Sequence, residues 1–455
     1  MPPDNPPRRV IPVKMASASK PAPSVTPTPP PTPSQARAQS RLQTPPWRWS
    51  TLLLAPHRLS FFSAALVMAV AAAWWWLQML GRSTGWVSGL SAVPATVVHA
   101  VVMSLGFMPL FFCGFLFTAG PKWLQMPEVT APSILKPVAA VATGWAVLML
   151  GAQVHHLLSA AGVALSTAGW LSLTGRFVRM LRQSPAGDRL HASLIAGACA
   201  IGVLAMGAAA VGLATQAYGV TRLAALLGLW WFVVPVYVVV AHRMLPFFTA
   251  SALPVLDAWR PNWLLWTLLG LVALQGLWVV TDVLGGASQP VLMAVRGVTA
   301  AASSVLVLAL AVRWGLLKSL RIRLLAMLHL GFVWLGVALG LDAVSALLGA
   351  WGGASLGLLP LHALTMGFLG SVLMAMATRV TCGHGGRALT ADKLVWTLFC
   401  GLQLATVLRL VAVLWSAHAS LLLLAAASLW LAVMGGWALR YGRWHGRPRI
   451  DGRPG

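Results

Sequence analysis

The sequence predicts an all-α membrane protein of about twelve transmembrane helices. Of its 455 residues, 58% are hydrophobic and only 9% are charged, whereas soluble domains carry about 25% charged residues. The mean hydropathy is +0.79. Apolar runs of about 20 residues recur from Ser60 onward, and that is the length a helix needs to cross a hydrocarbon layer about 30 Å thick. A water-soluble globular fold is therefore excluded.

The chain divides into three parts. Residues 1–57 are basic and rich in Pro, Ser, Thr and Ala, which predicts a disordered cytoplasmic tail because such a composition forms no core. A twelve-helix domain is predicted at 58–445, and a basic cytoplasmic tail at 446–455. The predicted spans are about 60–80, 93–120, 134–154, 157–178, 192–214, 221–242, 262–281, 290–312, 324–348, 358–380, 394–414 and 418–440.

The basic residues predict how the chain is oriented. Only four of the 32 Lys and Arg residues, namely Arg82, Arg222, Arg296 and Arg409, fall on the outer side when the N-terminus is placed inside. The other 28 fall on the inner side, as the positive-inside rule requires. We therefore predict a multi-pass protein of a bacterial-type inner membrane with both termini cytoplasmic. The net charge of +24 needs no nucleic acid partner, because no folded polar domain is predicted to bind one.

Two predicted spans carry the same short pattern, His-Ala-x-x-Met. It comprises His99 and Met103 in the second span, and His362 and Met366 in the tenth. A four-residue step places both side chains on one helix face. Since the two helices run parallel and both histidines lie near the outer end, we predict that His99 and His362 are axial ligands of one haem. The alternative is a structural hydrogen bond between helices.

These stretches also resemble a known family. LHALTMG, TR and GHGGR, in that order between residues 361 and 387, resemble the late signature of the NnrS family, and HAVVM with the following GF and PKW is similar to its early one. Val101 and Val102 replace the second His and the Glu of that early signature. LPFFT at 245–249 and LHLGFVWL at 328–335 extend the similarity. The resemblance implies a membrane haem protein of the nitric oxide response, with copper as a further cofactor and nitric oxide or another diatomic molecule as ligand.

Further candidate residues lie elsewhere in the spans. His329 lies at a different depth from His362, and the resemblance makes it a candidate metal ligand at a second site. Arg243, Arg379 and His384 are candidate cofactor-binding residues, because guanidinium and imidazole groups near the inner surface suit anions or haem propionates. His155, His156 and His418 fall at the outer ends of their spans, where three imidazoles at one face suit copper if they meet and otherwise simply face the water. His57, His191 and His445 fall in or near basic inner segments and are expected to be solvated.

The haem is predicted to be of the b type, because none of the four cysteines forms the C-x-x-C-H sequence that attaches haem covalently. Two other function classes remain open. One is a redox enzyme related to haem-copper oxidase subunit I, which has a similar helix layout, but Val234 stands before Pro235 where that enzyme's copper-binding His would be. The other is a haem-free membrane transporter. The sequence indicates neither a turnover reaction nor an electron-transfer partner.

Overall fold

The computed structural model describes residues 46–85, 91–285 and 289–452. Within these ranges the protein is helical and without strands, and twelve helices are long and apolar enough to span a membrane. The spans, numbered 1 to 12, are Pro56–Thr84, Ala95–Leu116, Ala131–Val154, His156–Gln183, Leu190–Ala214, Tyr218–Ala252, Asn262–Val283, Pro290–Arg313, Arg323–Ala350, Leu359–His384, Lys393–Leu414 and Ser416–His445. The predicted fold class and number of spans are confirmed.

Successive spans alternate in direction, which defines two faces of the domain. The terminal face is the one where span 1 begins and span 12 ends, and the opposite face lies at the other ends of the spans. Span 12 packs against span 1. Short helices at Trp49–Leu52, Gly120–Trp123 and Leu316–Ser319 accompany the spans at the terminal face.

The end of the predicted N-terminal tail belongs to the folded domain. A helix forms at Trp49–Leu52, and span 1 already begins at Pro56. The Trp47 indole N–H donates to the Gly442 carbonyl at 3.0 Å, and the Arg48 amide donates to the Gly446 carbonyl at 2.8 Å. The Trp47 side chain and the Arg48 backbone thus contact span 12 and the residue after it, about ten residues before the predicted boundary at residue 57. Residues 1–45 lie outside the described part of the chain.

Spans 3 and 4 show how the helices pack so closely. A Cβ added at Gly144 would lie 2.3 Å from Ser166 Oγ and 2.4 Å from the Gly162 carbonyl oxygen. Ser166 in turn donates to the carbonyl of Val141 at 3.0 Å. Small residues therefore let the two backbones meet, and a hydroxyl group joins them, as is typical of helix pairs in membranes.

Three spans depart from regular α-helix. Span 2 breaks between Ala95–Leu105 and Met108–Leu116, just before Pro109. Span 6 contains a π-helical segment at Leu229–Val233 and continues to Ala252, about ten residues past its predicted end. Span 10 contains an eight-residue π-helical segment, Ala363–Gly370, that begins directly after His362. Such segments are rare and often lie at functional sites.

Candidate functional site

His99 and His362 lie at the opposite face, close to each other. His99 is in the first half of span 2, and His362 ends the first helical turn of span 10. Both rings are partly buried, and they are near enough to interact electrostatically. The structure therefore places these two histidines within electrostatic range of each other, at the ends of spans 2 and 10 that lie at the same face.

The hydrogen bonds fix which nitrogen of His362 is available. His362 Nδ1 lies 2.9 Å from the Leu358 carbonyl oxygen, which can only accept, so Nδ1 carries the proton. The lone pair of the neutral ring is consequently on Nε2. A ligating histidine commonly has this arrangement, because the bond from its other nitrogen orients the ring. His99 Nδ1 is buried and has no hydrogen-bond partner within the described residues.

An aromatic ring covers His99. The Trp75 indole of span 1 lies with its ring centroid 3.8 Å from that of His99, at an interplanar angle of 30°. The contact uses a face of the imidazole and leaves its nitrogen edge free. Trp75 is the middle residue of the WWW run at 74–76, and its contact with His99 depends on how spans 1 and 2 pack.

Two arginines complete this site. Arg82, near the end of span 1, has its guanidinium carbon 5.7 Å from the Trp75 ring centroid. Arg409 of span 11 interacts electrostatically with both His99 and His362. We call these five residues the opposite-face site: Trp75, Arg82, His99, His362 and Arg409.

The remaining basic candidates lie toward the terminal face. Arg379 and His384 follow His362 by 17 and 22 residues in the same span, which at about 1.5 Å per residue places them roughly 25 and 33 Å further along it. Arg379 lies over the Phe248 ring at 3.8 Å, and Arg243 lies over Trp123 at 5.1 Å. One haem cannot contact His362 and these residues at once, so the predicted cofactor-binding residues fall into two groups.

The two methionines and His329 occupy different surroundings. Met103 and Met366 are partly buried and pack against the apolar core, and Met366 lies inside the π-helical segment. His329 is fully buried in span 9. Its Nε2 lies 2.9 Å from Thr249 Oγ1, whose hydroxyl donates to Leu245, so Nε2–H donates and Nδ1 keeps the lone pair. This Nδ1 is buried without a partner, which leaves a possible ligand atom away from the opposite-face site.

Three histidines expected to be solvated are buried instead. His57, His191 and His445 are 3%, 4% and 2% exposed. His191 Nε2 lies 3.2 Å from His242 Nδ1. His57 stacks on His384 with ring centroids 4.4 Å apart, and it lies close to His445. The sequence expectation fails because the segments around these residues dock against other spans.

The predicted outer histidines remain at the opposite face. His155 and His156 stack on each other with centroids 4.4 Å apart, and His156 Nδ1 pairs with the Gln216 side chain at 3.1 Å. The His418 ring lies against Trp415, with ring centroids 4.4 Å apart at an interplanar angle of 56°. Among the described residues, no group of three or more His, Cys, Asp or Glu side chains has an arrangement suited to a metal ion.

These features define a polytopic α-helical membrane protein with a histidine pair between two of its spans. A family model described as NnrS protein matches residues 51–449, nearly the whole chain, and the chain therefore belongs to the NnrS family. A search of curated proteins and a search of solved structures each returned no match. The match begins within the Trp49–Leu52 helix and ends after span 12, so it covers all twelve spans.

Proposed function

We propose that this protein binds a b-type haem between His99 and His362 and serves the nitric oxide response, in sensing or detoxification. The observation that carries the proposal is the pairing of these two imidazoles near one membrane face, with Nε2 of His362 available for a metal. Imidazole is a common haem ligand. Orientation by a backbone carbonyl is what a ligating ring requires.

The surrounding residues fit a haem. Trp75 lies against a face of the His99 ring, where it can remain while a ring nitrogen binds iron. Arg82 and Arg409 supply positive charge for two propionates, in place of the more distant Arg243 and Arg379. Bound haem would supply an iron that takes up a diatomic ligand or exchanges electrons, depending on whether one or both histidines bind it.

The residues of the chain have distinct roles in this proposal. His99 and His362 hold and orient the ring, and the Leu358 carbonyl keeps the His362 proton on Nδ1. The apolar core around spans 2 and 10 excludes water, which lowers the local dielectric constant and strengthens the attraction between the arginines and anionic groups. Cys113, Cys199, Cys382 and Cys400 are free and widely separated in sequence, which supports a haem without covalent attachment.

Copper is a separate part of the proposal. Its first candidate ligand is His329, whose Nδ1 is buried and unpaired. An oxidase-type copper centre is disfavoured, because span 6 carries Val234 at the position before Pro235 and spans 7 and 8 contain no histidine. We further propose that the protein lies in a bacterial inner membrane with its terminal face toward the cytoplasm, as the basic residues indicate.

The test is the visible spectrum and pyridine haemochrome of the purified protein. We expect a b-type haem whose spectrum is lost or shifted in His99→Ala and His362→Ala. His418→Ala is the matched control, because that residue lies at the same face but contacts Trp415 instead of the opposite-face site. A wild-type spectrum in both single variants would refute the ligand assignment, and His329→Ala would then be tested. Wild-type protein without haem, purified from cells supplied with haem precursor, would favour the transporter alternative.

A further inference from the structure

The strongest unexplained feature outside the opposite-face site is a small recess at the terminal face that is open to solvent. It lies where the beginning of span 1 meets the ends of spans 10 and 12. We call it the terminal recess. Its lining residues are His57, Arg58, Thr381, Gly385, Arg387, Trp444, His445, Arg447 and Pro448.

The lining of the terminal recess is strongly basic. It carries three guanidinium groups and two imidazoles, and none of its lining residues has a carboxylate. The nearby acid Asp451 is held by Arg449 through two contacts of 2.9 and 2.6 Å. Asp392, which precedes span 11, is bonded to Arg440. Each of these two acids thus has an arginine partner that does not line the recess.

Several polar atoms of the lining are buried and have no partner within the described residues. They are His57 Nδ1, Arg58 Nε, Thr381 Oγ1, His445 Nε2 and Arg447 Nε. His57, Arg58 and His445 are each at least 97% buried, since their exposures are 3%, 3% and 2%. Buried polar groups in proteins nearly always have partners, and leaving a charged one unpaired is costly. The two Arg Nε–H groups can only donate, and the imidazole and hydroxyl groups can donate as well, so this set of unpaired atoms suits a bound partner rich in acceptors.

The backbone beside the recess brings the GHGGR turn close to the C-terminal segment. Gly386 has φ +69°, and a Cβ there would lie 2.6 Å from the Asp451 carboxyl carbon. Only glycine therefore allows the GHGGR turn to approach the C-terminal segment, whose Ile450 amide donates to the Gly385 carbonyl at 3.3 Å. Arg58 Nη1 donates to the carbonyls of His445 and Arg447 at 3.0 and 2.6 Å, which fixes its guanidinium group.

The recess lies among three helix ends. The N-terminus of span 1 and the C-termini of spans 10 and 12 meet there, so the helix dipoles oppose one another and the side chains supply the positive charge. Arg387 lies over the Trp444 ring at 3.9 Å, so its guanidinium group is positioned before any ligand arrives.

We propose that the terminal recess binds a phosphate-type oxyanion. Arg58, Arg387 and Arg447 would provide the charge, and Thr381 with the two imidazoles would provide further hydrogen bonds. Guanidinium groups suit phosphate oxygens because they offer parallel N–H donors. The phosphate is either a free inorganic ion or the headgroup of an anionic phospholipid, since the recess lies at a membrane face.

The experiment compares the wild-type protein with Arg387→Gln, Arg447→Gln and the double variant. Arg443→Gln is the matched control. Arg443 is an exposed arginine near the end of span 12, close in sequence to Arg447, and it does not line the recess. One arm measures radiolabelled inorganic phosphate by equilibrium dialysis in an uncharged detergent. The other counts phosphatidylglycerol and phosphatidylcholine molecules retained in native mass spectrometry.

We expect saturable binding that weakens about tenfold or more in each single variant, since each loses a charged hydrogen bond. The control should bind like wild type. Binding in the dialysis arm identifies free phosphate, and selective retention of phosphatidylglycerol identifies the lipid. The single variants keep the test informative if the double variant does not fold. Two results would overturn the proposal. One is that neither probe binds to the wild-type protein, and the other is that the Arg443→Gln control loses binding as much as the recess variants do.

Discussion

Trp47 provides a sharp test of how the chain ends stabilise the domain. Its indole N–H donates to Gly442 at 3.0 Å, and its ring lies 4.6 Å from Trp49 and 5.8 Å from Phe62. The ring also fills the space beside Gly446, where a Cβ would lie 2.0 Å from the indole nitrogen. Trp47→Ala therefore removes a hydrogen bond, two aromatic contacts and part of the packing over span 12.

The expected cost follows from these contacts. The lost hydrogen bond contributes about 1 kcal/mol, and each aromatic pair about 0.5 kcal/mol or more. Since Trp47 is only partly buried, the total should be about 2 kcal/mol, below the roughly 3–5 kcal/mol for a fully buried tryptophan. Trp49→Ala should cost less, because Trp49 is 69% exposed and has no side-chain hydrogen bond among the described contacts.

The assay is equilibrium unfolding of the purified protein by SDS in mixed micelles. Deletion of residues 2–45 is the second control, and it should change the free energy of unfolding by less than about 0.5 kcal/mol. Equal costs for Trp47→Ala and Trp49→Ala would refute the reasoning. So would a Trp47→Ala protein as stable as wild type.

Three further predictions concern the membrane domain. Gly144→Val should destabilise it by about 1–3 kcal/mol through overpacking against span 4, whereas Gly197→Ala, with no atom within 4 Å of the added Cβ, should be neutral in the same SDS assay. Arg296→Gln should cost about 1–3 kcal/mol, mainly because it leaves the buried Asp342 without its cation, while the exposed Asp282 contributes little; an unchanged stability would show that water replaces the ion pairs. A reporter active only in the cytoplasm should give signal when fused after Arg443 and none after Arg82, and the reverse result would invert the proposed orientation.

The sequence predicts the spans well because each span must by itself be long and apolar enough to cross the membrane. Every span needs about 20 apolar residues whatever its neighbours are, so a local pattern is sufficient. The similar depth of His99 and His362 follows for the same reason, since it depends only on the distance of each residue from the end of its span. Span 6 is the exception in length, because it continues past Arg243 through the apolar LPFFT stretch to Ala252.

Contacts between distant spans could not be predicted in this way. His57, His384 and His445 meet because spans 1, 10 and 12 are neighbours, and no local pattern gives that arrangement. A basic segment at a membrane surface normally faces water, so burial of His57 and His445 contradicts the local indication. The positions of Arg82 and Arg409 beside the histidine pair likewise depend on which spans adjoin. Sequence therefore predicts the depth of a residue but not its partners.

The π-helical segment Ala363–Gly370 determines how the first turn of span 10 is rotated about the helix axis relative to the rest of the span. Residues from Ser371 onward are fixed by burial among their neighbours, whereas His362 lies on the other side of the segment. A π-helical turn contains one more residue than the matching α-helical turn. If the same eight residues were α-helical, His362 would be turned by about 100° relative to the buried half, whereas an α-helical segment one residue shorter would leave it pointing the same way. The direction in which this imidazole points is thus determined by the helix type of the segment together with its residue count, independently of which side chains surround it.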